Sequence, residues 1–447
     1  MIINFFSNFI NKHRKNINES SFIYFMKFIQ IGLSFLIVLI ITKNAGIDIY
    51  GQIALLAATG AVISSIMELR TNEAVLRFFV REMTTGHKDR AYLVIFLGLF
   101  ADIIIAILVF VFFLTLAPII SKYFLKNLDL ENVVRIFGLV ISFRFISGTP
   151  LGFFQSIERF KTLNYLYSQE TIFRVLGLIL ILVLQLNIKI TSLVLLYVIA
   201  GGLNAIISLF LMLLVLFRMD FRMEKLKYNI ILIKEFITFS CKSFFSTLTK
   251  SGYNNIDRLL LGYFFNTTSV GIYDALKKIG SILGFVGFPL PILTYGKMVR
   301  LQTNSKLDDL KRLIIHSTKL LTIVNLGFSF VIILALFPIL QYMKIPSSRD
   351  ILISMCIILF QGIISGTIWW GRNFTNIFNP LLPIATNILL SLNLIWIMFF
   401  LKHITEFSPV LLMSTTSLLA YIPSYCIGIG AFKYYLKNSS GYNVQIF

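Results

Sequence analysis

The residues of this chain whose types could do chemistry are charged groups set in apolar surroundings. In "NNIDRLLLGYFF", Asn254 to Phe265, Asp257 and Arg258 stand side by side just before a run that reads as lipid-facing helix. Further cations sit within apolar segments at Lys27, Arg135, Arg144, Arg174, Lys242, Lys250, Lys277, Lys278 and Lys319. The acids there are fewer: Asp102, Glu170, Asp257 and Asp274. A charge at mid-membrane costs roughly 2.5–3.5 kcal/mol on insertion scales, so such groups face a bundle interior, a partner or water. The surplus of cations predicts a positive interior. Arginine suits a pyrophosphate because its planar fork donates two parallel hydrogen bonds, and lysine adds a compact charge.

Arg144 and Arg174 fall near the middle of their segments, where snorkelling is hardest, and are candidate binding residues together with Lys27 and Lys250. At about 100° per residue, Lys242, Ser246, Lys250, Tyr253 and Asp257 lie within about 80° of arc, a polar stripe expected to face a cleft. Asp257, Arg258, Asp274 and Lys277 also have the spacing of an ion-pair cluster joining two consecutive helices. Glu170 and Arg174, one turn apart, predict a local pair. Asp102 is either a counter-ion to an arginine or a coupling carboxylate. Arg135, Lys278 and Lys319 are expected to snorkel.

The elements that must position these groups are membrane helices. Hydrophobic residues make up 57% of the 447 and charged ones only 13%, against about 25% charged in a soluble domain. About twelve apolar segments are long enough to cross a ~30 Å hydrocarbon core: 20–42, 49–69, 91–117, 131–154, 164–186, 191–217, 236–262, 268–295, 313–340, 350–370, 380–401 and 407–432. The expected fold class is an all-α polytopic membrane protein. Strand barrels are excluded because the apolar runs are continuous rather than alternating. The net charge of +20 does not point to nucleic acid, since the basic residues are spread among membrane loops. They concentrate on alternate loops, as in Arg70 to Arg90 and Arg218 to Lys234, which predicts both termini on the cytoplasmic side. The first segment follows "NKHRK" and lacks a small-residue cleavage site, so it reads as an anchor and not a removed signal. "MIINFFSNFINKHRK" reads as a surface amphipathic helix or a tail.

The chain looks doubled. "IYGQ" at Ile49 to Gln52 and "IYDA" at Ile272 to Ala275 fall in one register that also pairs Lys27 with Lys250, Tyr50 with Tyr273, Arg77 with Arg300 and Lys88 with Lys311. "ISGT" occurs at Ile146 to Thr149 and again at Ile364 to Thr367. The spacing is close to half the chain, which predicts six-helix lobes at 1–217 and 236–447, joined by a basic linker at 218–235. An even number of crossings makes this a parallel repeat, and a substrate site is expected between the lobes.

Other chemistries find no residues. Cys241, Cys356 and Cys426 form no metal-ligand spacing and are expected to pack within the spans, and His13, His87, His316 and His403 are scattered. Trp369 and Trp370 read as an interfacial belt. The prolines of "FPLPI", Phe288 to Ile292, are expected to kink the eighth span. No GxxxxGK[ST] loop is present for a nucleotide.

The chain resembles the bacterial O-antigen-type oligosaccharide flippases of the multidrug/oligosaccharidyl-lipid/polysaccharide exporter superfamily. The stretches that carry the likeness are "YGQIALLAATGAVISSIMELRTNEAVLRFFVRE", Tyr50 to Glu82, and "NIDRLLLGYFFNTTSVGIYDALKKIG", Asn255 to Gly280. The family often has glycine where this chain has Arg70. The resemblance implies twelve helices in two lobes and a cationic cavity. It further implies movement of an undecaprenyl-pyrophosphate-linked sugar unit to the outer leaflet of the bacterial inner membrane by alternating access. It implies no cofactor, coupling to an ion gradient, and a place beside the glycosyltransferases or polymerase of a polysaccharide pathway. A drug/cation antiporter of the same superfamily is the alternative, disfavoured by a positive interior. A membrane glycan polymerase or ligase would need a substantial outer loop, which is missing here.

Overall fold

The computed structural model describes residues 14–219, 229–287, 306–367, 382–404 and 406–438, with Thr294, Met298, Leu301, Trp369 and Trp370. In lipid every backbone N–H and C=O must be satisfied within the segment, and the described residues are helical with no strand. The first half of the chain forms α1 (Arg14–Ala45), α2 (Ile47–Met67), α3 (Thr71–Thr84), α4 (Lys88–Ile120), α5 (Glu131–Ile146), α6 (Gly148–Ser156), α7 (Phe160–Val183) and α8 (Ile190–Arg218). The second half forms α9 (Ile230–Phe264), α10 (Thr267–Gly280), α11 (Ile282–Gly287), α12 (Leu307–Tyr342), α13 (Arg349–Thr367), α14 (Leu382–Ile404) and α15 (Pro409–Asn438).

Among the described residues 10 helical runs are long and apolar enough to cross a membrane, so this is a multi-pass membrane protein. The seventh and eighth expected spans each include residues that lie outside the described ones, so this count does not bear on them. Helix α9 carries Lys242, Lys250, Asp257 and Arg258, and the eighth span is divided between α10 and α11. The fourth expected span is broken at Ser147 into α5 and α6, within the first "ISGT". The second "ISGT" ends α13 at Thr367.

The chain forms two compact units, Met1–Ile40 with Gly60–Leu248, and Ile41–Thr59 with Thr249–Phe447. The division is displaced from the expected 218–235 linker. It falls inside α9, and an early segment containing "IYGQ" joins the second unit.

In the first unit α4 packs on α5, α5 on α8, and α3 lies against α4 and α6. Its core includes Phe78, Phe79, Tyr92, Phe153, Phe154 and Met212. Helix α3 is too polar to span. It turns Ala74, Val75, Phe78 and Phe79 inward and Arg77 and Arg81 outward, the stripe of an amphipathic helix lying on a core. Arg70, just before it, adopts φ 47° and ψ 45°. That is the left-handed region in which glycine carries no Cβ penalty. Helix α4 shows the lipid pattern: Phe100, Ile103 and Ile107 are exposed, whereas Asp102, Ile105, Val109 and Phe113 are buried.

In the second unit α10 packs on α13 and α15, α12 on α13, and α14 on α15. Two glycines bring α2 and α10 into backbone contact. A Cβ on Gly51 would lie 1.8 Å from the Thr267 carbonyl oxygen, and one on Gly271 would lie 2.4 Å from that of Ile47. Trp369 and Trp370 are buried, not an interfacial belt, and the Trp369 indole N–H donates to Thr318 Oγ1 at 3.2 Å. The three cysteines are exposed, so they do not fill the core. On a helix crossing lipid, an apolar thiol can face the acyl chains as readily as a protein neighbour.

Candidate functional site

The opening pair, Asp257 and Arg258, lies in a closed ion-pair cluster of the second unit. Asp257 is 2% exposed and its Oδ2 accepts from the Lys277 ammonium and, at 3.0 Å, from the Tyr273 hydroxyl. Arg258 turns the other way, its Nε 2.5 Å from Asp274 Oδ1 and its Nη1 donating to Asn255 at 3.0 Å. Asp274 also accepts from Tyr50. One turn of α9 and one of α10 thus place two carboxylates and two cations alternately, and their formal charges cancel. The predicted ion-pair cluster forms. Lys277 and Tyr273 engage the Asp257 carboxylate on the α10 side.

The first unit holds the site with charge to spare. Glu170 on α7 is paired with Arg174 one turn on, and its Oε2 is 3.5 Å from Arg144 Nε on α5. One carboxylate therefore serves two guanidiniums. They are not equivalent: the Arg174 side chain is 16% exposed and lies 4.0 Å over the Tyr197 ring, whereas that of Arg144 is 52% exposed. Glu170 and Tyr197 fix Arg174. Arg144 keeps the outer edge of its fork open. Lys27, on α1, donates to Gln30 Oε1 at 2.9 Å, and Gln30 in turn donates to the Tyr167 carbonyl, one turn before Glu170. Arg144 on α5 and Arg174 on α7 thus flank Glu170, while Lys27 on α1 is tied to α7 through Gln30. Such an arrangement can receive a phosphate or diphosphate between guanidinium donors. The side chains of Lys242, Lys250 and Tyr253 lie outside the described residues, as do "FPLPI", the N-terminal "MIINFFSNFINK", Arg300 and the linker from Asp220 to Tyr228.

Asp102 is neither a counter-ion nor solvated. It is 1% exposed, accepts from Thr71 Oγ1 at 2.5 Å and from the Thr149 backbone N–H at 2.6 Å, and has no cation partner among the described residues. Thr149 is in the first turn of α6, so Asp102 caps that helix from α4, where the N-terminal dipole favours negative charge. Gly148 allows this approach, since a Cβ there would stand 3.1 and 3.2 Å from the two carboxylate oxygens.

A family model described as "Polysaccharide biosynthesis protein" matches residues 17–293, more than half of the chain. The chain belongs to that family. The match to the polysaccharide biosynthesis family takes in the Lys27, Arg144, Glu170 and Arg174 group, Asp102 and the Asp257 to Lys277 cluster. No curated protein matches the sequence. Among solved structures, the inward-facing form of a multidrug resistance MATE family transporter of the MOP superfamily superposes with a TM-score of 0.75. It is 10% identical, with 93% of this chain and 96% of that one covered. The lipid II flippase MurJ in an inward closed conformation gives 0.67 at 13% identity, covering 92% of this chain and 87% of that one. This family member therefore has the fold of those transporters.

Sequence reasoning missed several partners in the polysaccharide biosynthesis chain. Arg144 and Glu170 lie on different helices, so no local spacing links them. Gln169 donates to Asn204 Oδ1 at 2.5 Å and Asn204 Nδ2 reaches Ser147 Oγ at 3.5 Å, a buried amide chain at the α5–α6 break. The signal was the presence of amides in otherwise apolar spans. The break itself was signalled by Ser147-Gly148-Thr149-Pro150, a helix-start pattern.

Proposed function

We propose that this protein moves a polyprenyl-diphosphate-linked oligosaccharide from the cytoplasmic to the outer leaflet of the bacterial inner membrane, for surface polysaccharide assembly. The single observation that carries the reading is the half-exposed Arg144 beside the Glu170–Arg174 pair, inside the stretch matched by the polysaccharide biosynthesis family. The diphosphate takes the place that Glu170 leaves open on Arg144, Arg174 adds a fixed positive field, and Lys27 contributes a further ammonium. The polyprenyl tail stays in lipid while the protein alternates its access. A gradient of protons or other ions supplies direction, and glycosyltransferases and a polymerase of the same pathway supply and consume the substrate.

The test is complementation of a bacterial strain lacking its own polysaccharide flippase, with membrane abundance of each variant measured in parallel. The wild type restores surface polysaccharide, Arg144→Lys restores part of it, and Arg144→Ala restores little at equal abundance. Because the fold is shared with a multidrug transporter, the same strains are scored for resistance to cationic drugs. Resistance without polysaccharide would replace the flippase reading with the antiporter one.

A further inference from the structure

The first unit carries a second basic feature, remote in sequence from Arg144 and not used by the transport reading. The amphipathic helix α3 and the first turns of α9 enclose a groove of about 900 Å³, lined by Arg77, Phe78, Arg81, Lys234, Glu235 and Phe239. Arg81 holds the two walls together, its Nη1 donating to Glu235 at 2.7 Å while its Nε donates to Glu82 at 2.8 Å. That leaves the two other cations uncompensated: neither Arg77 nor Lys234 has a carboxylate partner among the described residues. Both are exposed. The Arg77 guanidinium is set at 4.8 Å over the Phe239 ring and 5.8 Å from that of Phe78, so its position is fixed by aromatic faces that leave its N–H edge available. The groove runs beside Ile230 and Ile231, which are 66% and 68% exposed.

The location selects the occupant. The groove takes Arg77 and Arg81 from one, and Ile230, Ile231 and Lys234 from the end of the other, of the two basic segments that the charge distribution assigns to the cytoplasmic side. Tyr92 at the start of α4 donates to the Met219 carbonyl at 2.7 Å, so both segments meet at one end of the helices that cross the membrane. At that level a ligand meets exposed isoleucines and phenylalanine faces with one part and unpaired cations with another. A soluble anion would leave the apolar part of the groove wet, and a neutral lipid would leave Arg77 and Lys234 without counter-charge. From this complementarity we propose that the α3–α9 groove is a binding site for an anionic phospholipid of the inner leaflet. Its phosphate is held by Arg77 and Lys234, and its acyl chains lie along Ile230, Ile231 and Phe239. The site is independent of what the protein transports.

Native mass spectrometry of the delipidated full-length protein, titrated with phosphatidylglycerol, phosphatidylcholine or inorganic phosphate, reads the occupancy directly. The expected result is saturable binding of phosphatidylglycerol, weak binding of phosphatidylcholine, and none of inorganic phosphate at matched concentration. Arg77→Gln and Lys234→Gln each weaken phosphatidylglycerol by about fivefold, the effect of one basic residue at an anionic surface. Lys122→Gln, in the π-helical turn Ser121–Leu125 that follows α4, leaves binding unchanged. Lys234 makes no bond whose loss would unsettle the fold, so its variant alone suffices if Arg77→Gln does not yield folded protein. Equal retention of the two phospholipids, inorganic phosphate binding as well as phosphatidylglycerol, displacement of the lipid by a polyprenyl diphosphate at lower concentration, or unchanged binding in Lys234→Gln would each overturn the proposal.

Discussion

Tyr50 donates its hydroxyl hydrogen to Oδ2 of Asp274, a residue 224 positions further along the chain, and both groups are buried. The bond ties an early segment to the Arg258–Asp274 ion pair of the second unit. Removing one partner of a buried charged pair leaves the other uncompensated, at a cost of about 3–5 kcal/mol. Losing one buried hydrogen-bond partner costs about 1–3 kcal/mol. Thermal unfolding of purified protein should therefore rank Arg258→Met well below Tyr50→Phe, and both below wild type. The double variant should be non-additive, because the two substitutions share Asp274. Additive losses would mean that the groups act independently.

The glycine contact makes a separate prediction. Gly51→Ala and Gly271→Ala place a methyl group against the backbone of the facing helix, and overpacking of this kind costs about 1–3 kcal/mol or more. Gly327→Ala, in α12, meets nothing within 4 Å and should be neutral or stabilising by up to about 1 kcal/mol through helix propensity. The comparison is made by melting temperature in one detergent. Similar melting of all three variants would remove the close approach of α2 and α10.

Arg70 offers a gain. Its left-handed backbone costs roughly 1–2 kcal/mol in a residue with a Cβ, while its 2.9 Å pair with Glu73 contributes only about 0–1 kcal/mol. Arg70→Gly should raise the melting temperature or leave it unchanged, whereas Arg70→Ala should lower it, keeping the strain and losing the pair. Both variants melting well below the wild type would place the stabilisation in the ion pair, and Arg70→Ala melting above Arg70→Gly would remove the left-handed strain.

At the α5–α6 break, Asp102→Ala should cost about 1–3 kcal/mol for the unpaired Thr149 N–H, with about 0.3–1 kcal/mol more for the lost charge at the helix N-terminus. Asp102→Asn keeps an acceptor and should lose less. Asp102→Leu fills the space without an acceptor and should melt well below Asp102→Asn; equal melting of the Leu and Asn variants would mean that Asp102 only fills space.

These contrasts show where the sequence was legible. Composition and long apolar runs carried the all-helical membrane class, because helices satisfy backbone polarity within one segment. The Asp257, Arg258, Asp274 and Lys277 cluster was readable because its members lie on consecutive helices, where helical spacing alone brings them together. Arg144 with Glu170, Asp102 with Thr149, and Tyr50 with Asp274 were not readable, since each joins helices whose neighbourhood is set by tertiary packing. The resemblance leads to an expectation of glycine at Arg70, and the left-handed backbone there is one that glycine adopts without a Cβ penalty.

The central claim is that Arg144 engages a lipid-linked diphosphate during transport. It is tested most directly in proteoliposomes holding the purified protein and a polyprenyl-diphosphate-linked saccharide, by following saccharide that becomes accessible to an added glycosidase. Wild type should transfer the head group at a rate well above that of protein-free vesicles. Arg144→Lys should be slower, and Arg144→Ala should fall at least about tenfold, the loss expected of a charge-assisted contact of about 1.5–3 kcal/mol. Transfer by Arg144→Ala at the wild-type rate, from protein that melts normally, would contradict the account.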